Sequence, residues 1–158
     1  MVGRGQLSLV NVLKCGEKML DPMTREERGK QMALVRSKNT KPEVKVKKIF
    51  WSLGYRYKLS NVLSLPGKPD LVFKARKKVV FVHGCFWHRH ENCVNTRTPK
   101  SNIDFWTRKF DQNVASDQRV YAELRQTGWR FLIIWECSLK KRHRAALIAE
   151  IKEFMDNK

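Results

Sequence analysis

No apolar run in the sequence approaches the ~20 residues that a membrane-spanning helix requires, so a transmembrane segment is not expected. Residues 1–20 lack both a continuous apolar core and a small-residue cleavage site, and a secretory signal is not expected either. Acidic residues are scarce: 15 Asp and Glu stand against 33 Lys and Arg, a formal charge of +18 over 158 residues. Cysteine is sparse as well. Four in a chain of this length do not make a disulfide scaffold, and in a cytoplasmic setting they read as thiols or metal ligands. Neither an internal repeat nor a low-complexity segment is present. These absences leave one domain, long enough to bury a core. Its cations are spread along the whole length rather than gathered in a tail. A solvated surface needs only a modest net charge, so the excess points to a polyanionic partner, nucleic acid ahead of a membrane surface.

What the sequence does have is concentrated in FVHGCFWHRHENC, residues 81–93. Three histidines, two cysteines and an aromatic pair follow directly on Lys78–Val82, a short apolar β-branched run that predicts a buried strand. Gly84 breaks the run and delivers these groups at the strand's C-terminal edge, where sites on sheets tend to sit. Metal ligation, acid–base work by imidazole and stacking by Phe86 and Trp87 are all possible there.

Around this centre the elements follow in order. The first twenty residues read as an accessory extension, poorly ordered, with Cys15 a lone thiol; the domain proper is 21–158, and translation could start at Met19 or Met23. A short basic helix is expected over Thr24–Arg36, with Met32 and Val35 on one side. Thr40, Pro42 and Glu43 open a better helix: a capping residue, a proline tolerated in the first turn and a glutamate at the spacing of a capping box. Val46, Ile49, Phe50 and Leu53 continue it to Gly54. Glu43 is therefore read first as a cap residue, with a catalytic role as the alternative.

Strands are expected at Tyr55–Leu59, Leu71–Phe73, Lys78–Val82 and Trp129–Trp135, and helices over Ile103–Thr127 and Ala145–Met155. The order predicts an α/β domain with a mixed central sheet. Asp70 heads a strand after a proline, and the strand lengths allow it to meet the Val82–His83 end. There it could ligate a divalent cation, or serve as an ordinary turn residue. Cys85, His90 and Cys93 crowd one loop, and Cys137 ends another strand. If these meet, they make a closed Cys₃His set of the kind that holds structural zinc; the alternative is buried thiols beside a surface histidine. His88 falls outside that set and is free to act as a general base. Phe86 and Trp87 pack in a core or wedge into stacked bases.

The motifs TKPE (40–43), LPGKPD (65–70), VHGCFWH (82–88), Phe105–Trp106 and IWEC (134–137), in this order, resemble the very short patch repair (Vsr) endonucleases over residues 21–155. That resemblance implies a restriction-endonuclease-like fold with a structural zinc and a catalytic magnesium. It also implies an enzyme that nicks double-stranded DNA 5′ to the thymine of a T·G mismatch left by 5-methylcytosine deamination. By the same resemblance Asp70 and the Val82 carbonyl hold magnesium, His88 activates water, His83 is a second active-site histidine and Glu43 assists the metal–water network. Cys85, His90, Cys93 and Cys137 match the zinc ligands. Phe86, Trp87 and Trp106 match an aromatic wedge, and Met32 and Val35 an N-terminal element at the minor groove. The expected setting is a monomer in the prokaryotic cytosol or nucleoid, linked to a cytosine-5 DNA methyltransferase and to downstream repair proteins. Two alternatives stand beside it: a nuclease of the same fold that cuts matched or modified DNA, and a non-catalytic zinc-containing DNA-binding module.

Overall fold

The computed structural model describes residues 30, 39–59 and 65–157, and from Asn39 onward these belong to one compact unit. The expectations for residues 1–20, Cys15, Met32 and Val35 lie outside the described residues.

Helix α1 spans Lys41–Ser52 and starts as its sequence dictates. Thr40 Oγ1 accepts from the Glu43 amide at 3.4 Å and donates to Glu43 Oε1 at 2.9 Å, while the Asn39 amide donates to Glu43 Oε2 at 2.8 Å. The first-turn amides that a helix leaves orphaned are met in this way. Val46, Ile49 and Phe50 form the buried face.

Strands β1 (Leu71–Phe73), β2 (Lys78–His83) and β3 (Arg130–Trp135) make a mixed sheet in the order β1-β2-β3. β1 and β2 pair antiparallel, Leu71 opposite Val80; β2 and β3 pair parallel, His83 opposite Trp135. A parallel pair needs a long crossover. Helix α2 (Ile103–Gln126) supplies it, and helix α3 (Arg144–Asp156) follows β3.

Alternation along the strands sorts the core into two layers. Leu71, Phe73, Val80 and Ile134 face α1 and α3, packing with Phe50, Leu147, Ile151 and Met155. Val72, Val79 and Phe81 face α2, packing with Tyr121 and Leu124. Burying each such large apolar side chain contributes about 1.5–3 kcal/mol. The approach to β1 is packed as tightly. Gly67 has φ +71°, and a Cβ there would lie 2.5 Å from Val120 Cγ1, so both backbone angle and space require glycine.

One expected strand is absent. Tyr55–Leu59 makes only a single bridge, Lys58 to Val72. The Tyr55 amide donates to the Phe50 carbonyl, so the first residue of that segment belongs to the end of α1.

The C-terminal end of α3 is held by cations. Buried Lys78 donates from Nζ to the carbonyls of Met155 (2.9 Å) and Asn157, and Arg76 donates to Met155 O at 2.8 Å. Positive charge is favourable at the negative end of a helix dipole. Lys78→Met removes one charged donor from each carbonyl, leaving Arg76 on Met155 and Arg130 on Asn157, and is expected to lower stability by about 1.5–3 kcal/mol in urea denaturation. A loss below ~0.5 kcal/mol would mean that the clamp is ornamental.

Candidate active site and metal centre

The pairing register decides what meets at the sheet's edge. β1 runs antiparallel to β2, so the residue that heads it arrives beside the end of β2. The Asp70 amide donates to Val80 O at 2.9 Å, and the Val82 amide donates to Asp70 Oδ2 at 2.7 Å. Burial pushes the Asp70 carboxyl up to about 6, against the Val82 hydrogen bond, and the Glu43 charge pushes it the same way. Two carboxyl groups within electrostatic reach of one another, one of them largely buried, suit a divalent cation. Glu43 is a working cap: both its oxygens are engaged, and Lys47 Nζ lies 3.7 Å from Oε2. Lys47 is a residue the sequence reading passed over, although it stands i, i+4 from Glu43.

β2 ends on His83, which is buried. Burial, with the neighbouring His88 as the lesser cause, pushes its imidazole down to about 4, so it is neutral at physiological pH. The Tyr121 hydroxyl lies 3.5 Å from His83 Nδ1, and Trp135 packs edge-on. The His88 ring stacks on His83 with centroids 3.7 Å apart. His88 Nδ1 is 2.6 Å from Asp117 Oδ2, a pairing that leaves Nε2 as the free nitrogen. Asp117 sits on α2, and its role is not legible in the sequence. The only signal was its i, i+4 spacing from Asn113, whose Nδ2 donates to Trp87 O at 3.0 Å. His83, His88 and Asp117 offer ligand atoms within 4.8 Å of one another. Asp70 is not part of that set.

A second set gathers beside the first. Cys85, His90, Cys93 and Cys137 present their ligand atoms within 4.8 Å of one another. β2 and β3 are parallel and end together, which is why a loop after β2 meets the residue two beyond Trp135. His90 Nδ1 lies 3.5 Å from Cys85 Sγ and 3.3 Å from Cys137 Sγ, and its ring stacks on Trp135 at 4.2 Å. Zinc bond lengths of about 2.3 Å to sulfur and about 2.0–2.1 Å to nitrogen separate tetrahedral ligand atoms by about 3.5–3.8 Å. The cage fits. Burial pushes the Cys85 thiol up to about 12. A bound cation reverses that preference, since it takes thiolates as ligands.

The aromatic residues lie at the same edge. Phe86 and Trp87 are half-buried, with ring centroids 5.1 Å apart, and Phe86 packs on Trp106 (5.5 Å) and Phe110 (5.0 Å). A Cβ on Gly84 would meet Trp87 Cδ1 at 3.4 Å, so glycine lets the indole lie close against the loop. Trp106 is buried under this pair, and its Nε1 has no hydrogen-bond partner among the described residues. Phe105 beside it is 54 % exposed. The resemblance implies that Trp106 shares an aromatic wedge with Phe86 and Trp87; the structure buries it beneath them.

An imidazole–carboxylate pair and a thiol–imidazole cage end two parallel strands of a chain bearing +18. That defines a class: a strongly basic α/β protein with two groups of side chains that could hold metal ions. Comparison with known proteins makes it particular. The family description "DNA mismatch endonuclease Vsr" matches residues 20–94. The chain is 44 % identical over 138 residues to the Type II nicking enzyme V.XorIIP of Xanthomonas oryzae pv. oryzae, covering 87 % of this chain and 98 % of that one. It is 41 % identical over 140 residues to the Type II nicking enzyme V.NmeAIP of Neisseria meningitidis, covering 85 % and 99 %. To the DNA mismatch endonuclease Vsr of Escherichia coli K12 it is 34 % identical over 140 residues, covering 87 % and 88 %. The chain belongs to the Vsr family of DNA endonucleases. Among the described residues no helix is long and apolar enough to cross a membrane.

Proposed function

We propose that this protein is a magnesium-dependent, strand-specific endonuclease with a restriction-endonuclease-like fold. It nicks double-stranded DNA 5′ to the thymine of a T·G mismatch and so starts very short patch repair of deaminated 5-methylcytosine. The observation that carries the reading is the His83–His88–Asp117 group at the end of β2, the strand whose Val82 amide holds Asp70. Relatives named as nicking enzymes support a cut in one strand, and one named a DNA mismatch endonuclease supports a mismatch as the target.

Asp70 and the Val82 carbonyl would hold magnesium, with Glu43 beside them. When bound there, the ion would stabilise charge developing on the scissile phosphate. His88 Nε2 takes a proton from the attacking water while Asp117 holds the Nδ1 proton and fixes the tautomer. His83, buried and neutral, is a polar wall that His88 stacks on, and it keeps the base oriented. Cys85, His90, Cys93 and Cys137 would hold zinc, which ties the loop carrying His88 to the end of β3. Phe86 and Trp87, supported by Trp106, enter the stack beside the mismatch. A mismatched step costs less to unstack than a paired one, so the wedge turns duplex instability into recognition. The cations supply backbone affinity that carries no sequence information. The domain 21–158 works as a monomer, in functional partnership with a cytosine-5 DNA methyltransferase.

Asp117→Asn keeps the shape of the pair but removes the charge that supports an imidazolium. It is expected to slow nicking by roughly 10²–10⁴-fold in single-turnover assays with little change in DNA affinity. A rate within about twofold of wild type would remove His88 from the role of base, since general-base catalysis contributes far more than that. Specificity is tested by pairing a T·G duplex with its T·A counterpart, both strands end-labelled. A single nick confined to the T strand of T·G is expected. Equal cutting of both would replace this reading with that of a restriction-type nuclease.

A further inference from the structure

A groove of about 490 Å³ lies between α1 and the segment that leads from β3 into α3. Lys45, Lys48 and Ser52 stand on one stripe of α1, at i, i+3 and i+7; Ser138, Lys141 and Arg144 face them, with Ile49, Leu139 and Leu147 as an apolar floor. Four cations line it, and no acidic side chain does. All four are exposed, and none has an ion-pair partner among the described residues. Like charges brought together from two separate elements repel one another, and nothing within the groove offsets this.

The start of α3 sharpens the point. Its first turn has no acidic residue and no side-chain cap, and it begins at Arg144 directly after Lys141, Arg142 and His143. Cations at a helix N-terminus oppose the dipole, whereas the cations at the other end of the same helix complement it. An anion seated at the N-terminus would reverse the sign of the interaction.

We infer that this groove binds backbone phosphates of duplex DNA beside the cleavage point, a second anchoring track separate from the catalytic groups and the aromatic cluster. The inference rests on the DNA-cleaving reading above and extends it. Position favours a DNA strand over other polyanions. Trp135 lies opposite His83 in the parallel ladder, so Ser138 and Lys141, a few residues further on, sit at the edge of the sheet that carries Asp70 and His88. A duplex engaged at that edge has phosphates to spare on either side of the cut, and it is the one polyanion certain to be present during turnover.

The test uses the full chain and a fluorescent T·G duplex with long flanks, in magnesium-free buffer so that nothing is cut. Affinity is followed by anisotropy between about 50 and 200 mM salt. Lys48→Gln/Lys141→Gln removes two groove cations. Lys74→Gln/Lys152→Gln removes two from the far end of the fold and is the control for net charge. Each phosphate contact contributes about 0.9 to the slope of log affinity against log salt. The groove variant is therefore expected to show a slope shallower by about 1.8 and a Kd raised roughly tenfold, with the control close to wild type. Groove and control variants that behave alike would overturn the groove and leave the enzyme reading standing. Wild-type protein that fails to bind the duplex at all would remove both. Unchanged thermal midpoints establish that each variant is folded.

Discussion

Asp70→Asn is expected to reduce nicking of a T·G duplex by about 10³-fold or more, because it removes the carboxylate proposed to hold magnesium, and metal stabilisation of the transition state amounts to several kcal/mol. The same substitution is expected to stabilise the metal-free protein. Burial holds the Asp70 carboxyl at about 6 instead of 3.8. The folded state therefore takes up this proton more readily than the unfolded chain, and stability falls as pH rises from about 4 through 6. Above that range the ionised group costs about 1–3 kcal/mol, a cost that a neutral amide avoids while its oxygen still accepts from the Val82 amide. Thermal melts in chelator at pH 8 should show a higher midpoint for the variant, and the gain should vanish near pH 4. A lower midpoint at pH 8 would mark Asp70 as a structural turn residue. For nicking, the direction is opposite: activity rises with pH through about 6 as the carboxylate becomes available, and more magnesium moves that rise to lower pH.

Cys85→Ser is expected to have the largest effect on stability. Cys85 is fully buried, and its sulfur sits 3.5 Å from His90 Nδ1 inside the cage. With zinc bound, its loss breaks a site whose binding energy is folding energy, costing several kcal/mol and lowering the thermal midpoint by roughly 10 °C or more. Metal analysis should then find clearly less than one zinc per chain. Chelator should move the wild-type midpoint toward that of the variant and leave the variant nearly unmoved. Equal zinc content and equal midpoints in the two proteins would return these cysteines to the status of buried thiols. His88 is carried between two of the cage residues, so nicking is expected to fall with the zinc even though His88 itself is untouched.

The parts of this fold that rest on local chemistry were legible in the sequence. The Thr40–Glu43 box, the apolar runs of β1 and β2, the glycine stops and the long amphipathic α2 each follow from neighbours within a turn or two. The C-x₄-H-x₂-C spacing marked three members of the cage for the same reason. Cys137 depended on β2 and β3 lying side by side, a fact of pairing rather than of spacing. The Asp70–Val82 contact needed the register, which the strand lengths permitted but did not fix.

What escaped the sequence was set at longer range. Asp117 faces His88 across 29 positions. Its spacing on α2 places it on a stripe but does not say which turn meets the loop after β2. Lys47 was hidden by an ordinary reading, an exposed lysine on a helix. Tyr55–Leu59 carries the alternation of a strand, but its first amide is held by the end of α1 and its pairing is the one bridge from Lys58 to Val72. Trp106 was placed correctly in company but not in depth, because helical spacing gives a face and not its burial.

The central claim is that this edge of the sheet cuts DNA as well as binding it. It is tested most directly by single-turnover incubation of the wild-type chain with an end-labelled T·G duplex, with magnesium and in magnesium-free buffer. One product, cut at the phosphate 5′ to the mismatched thymine and formed only with the metal, is the predicted result. Tight binding with no cut in magnesium or any other divalent cation would contradict it, and would leave a zinc-containing DNA-binding module in its place.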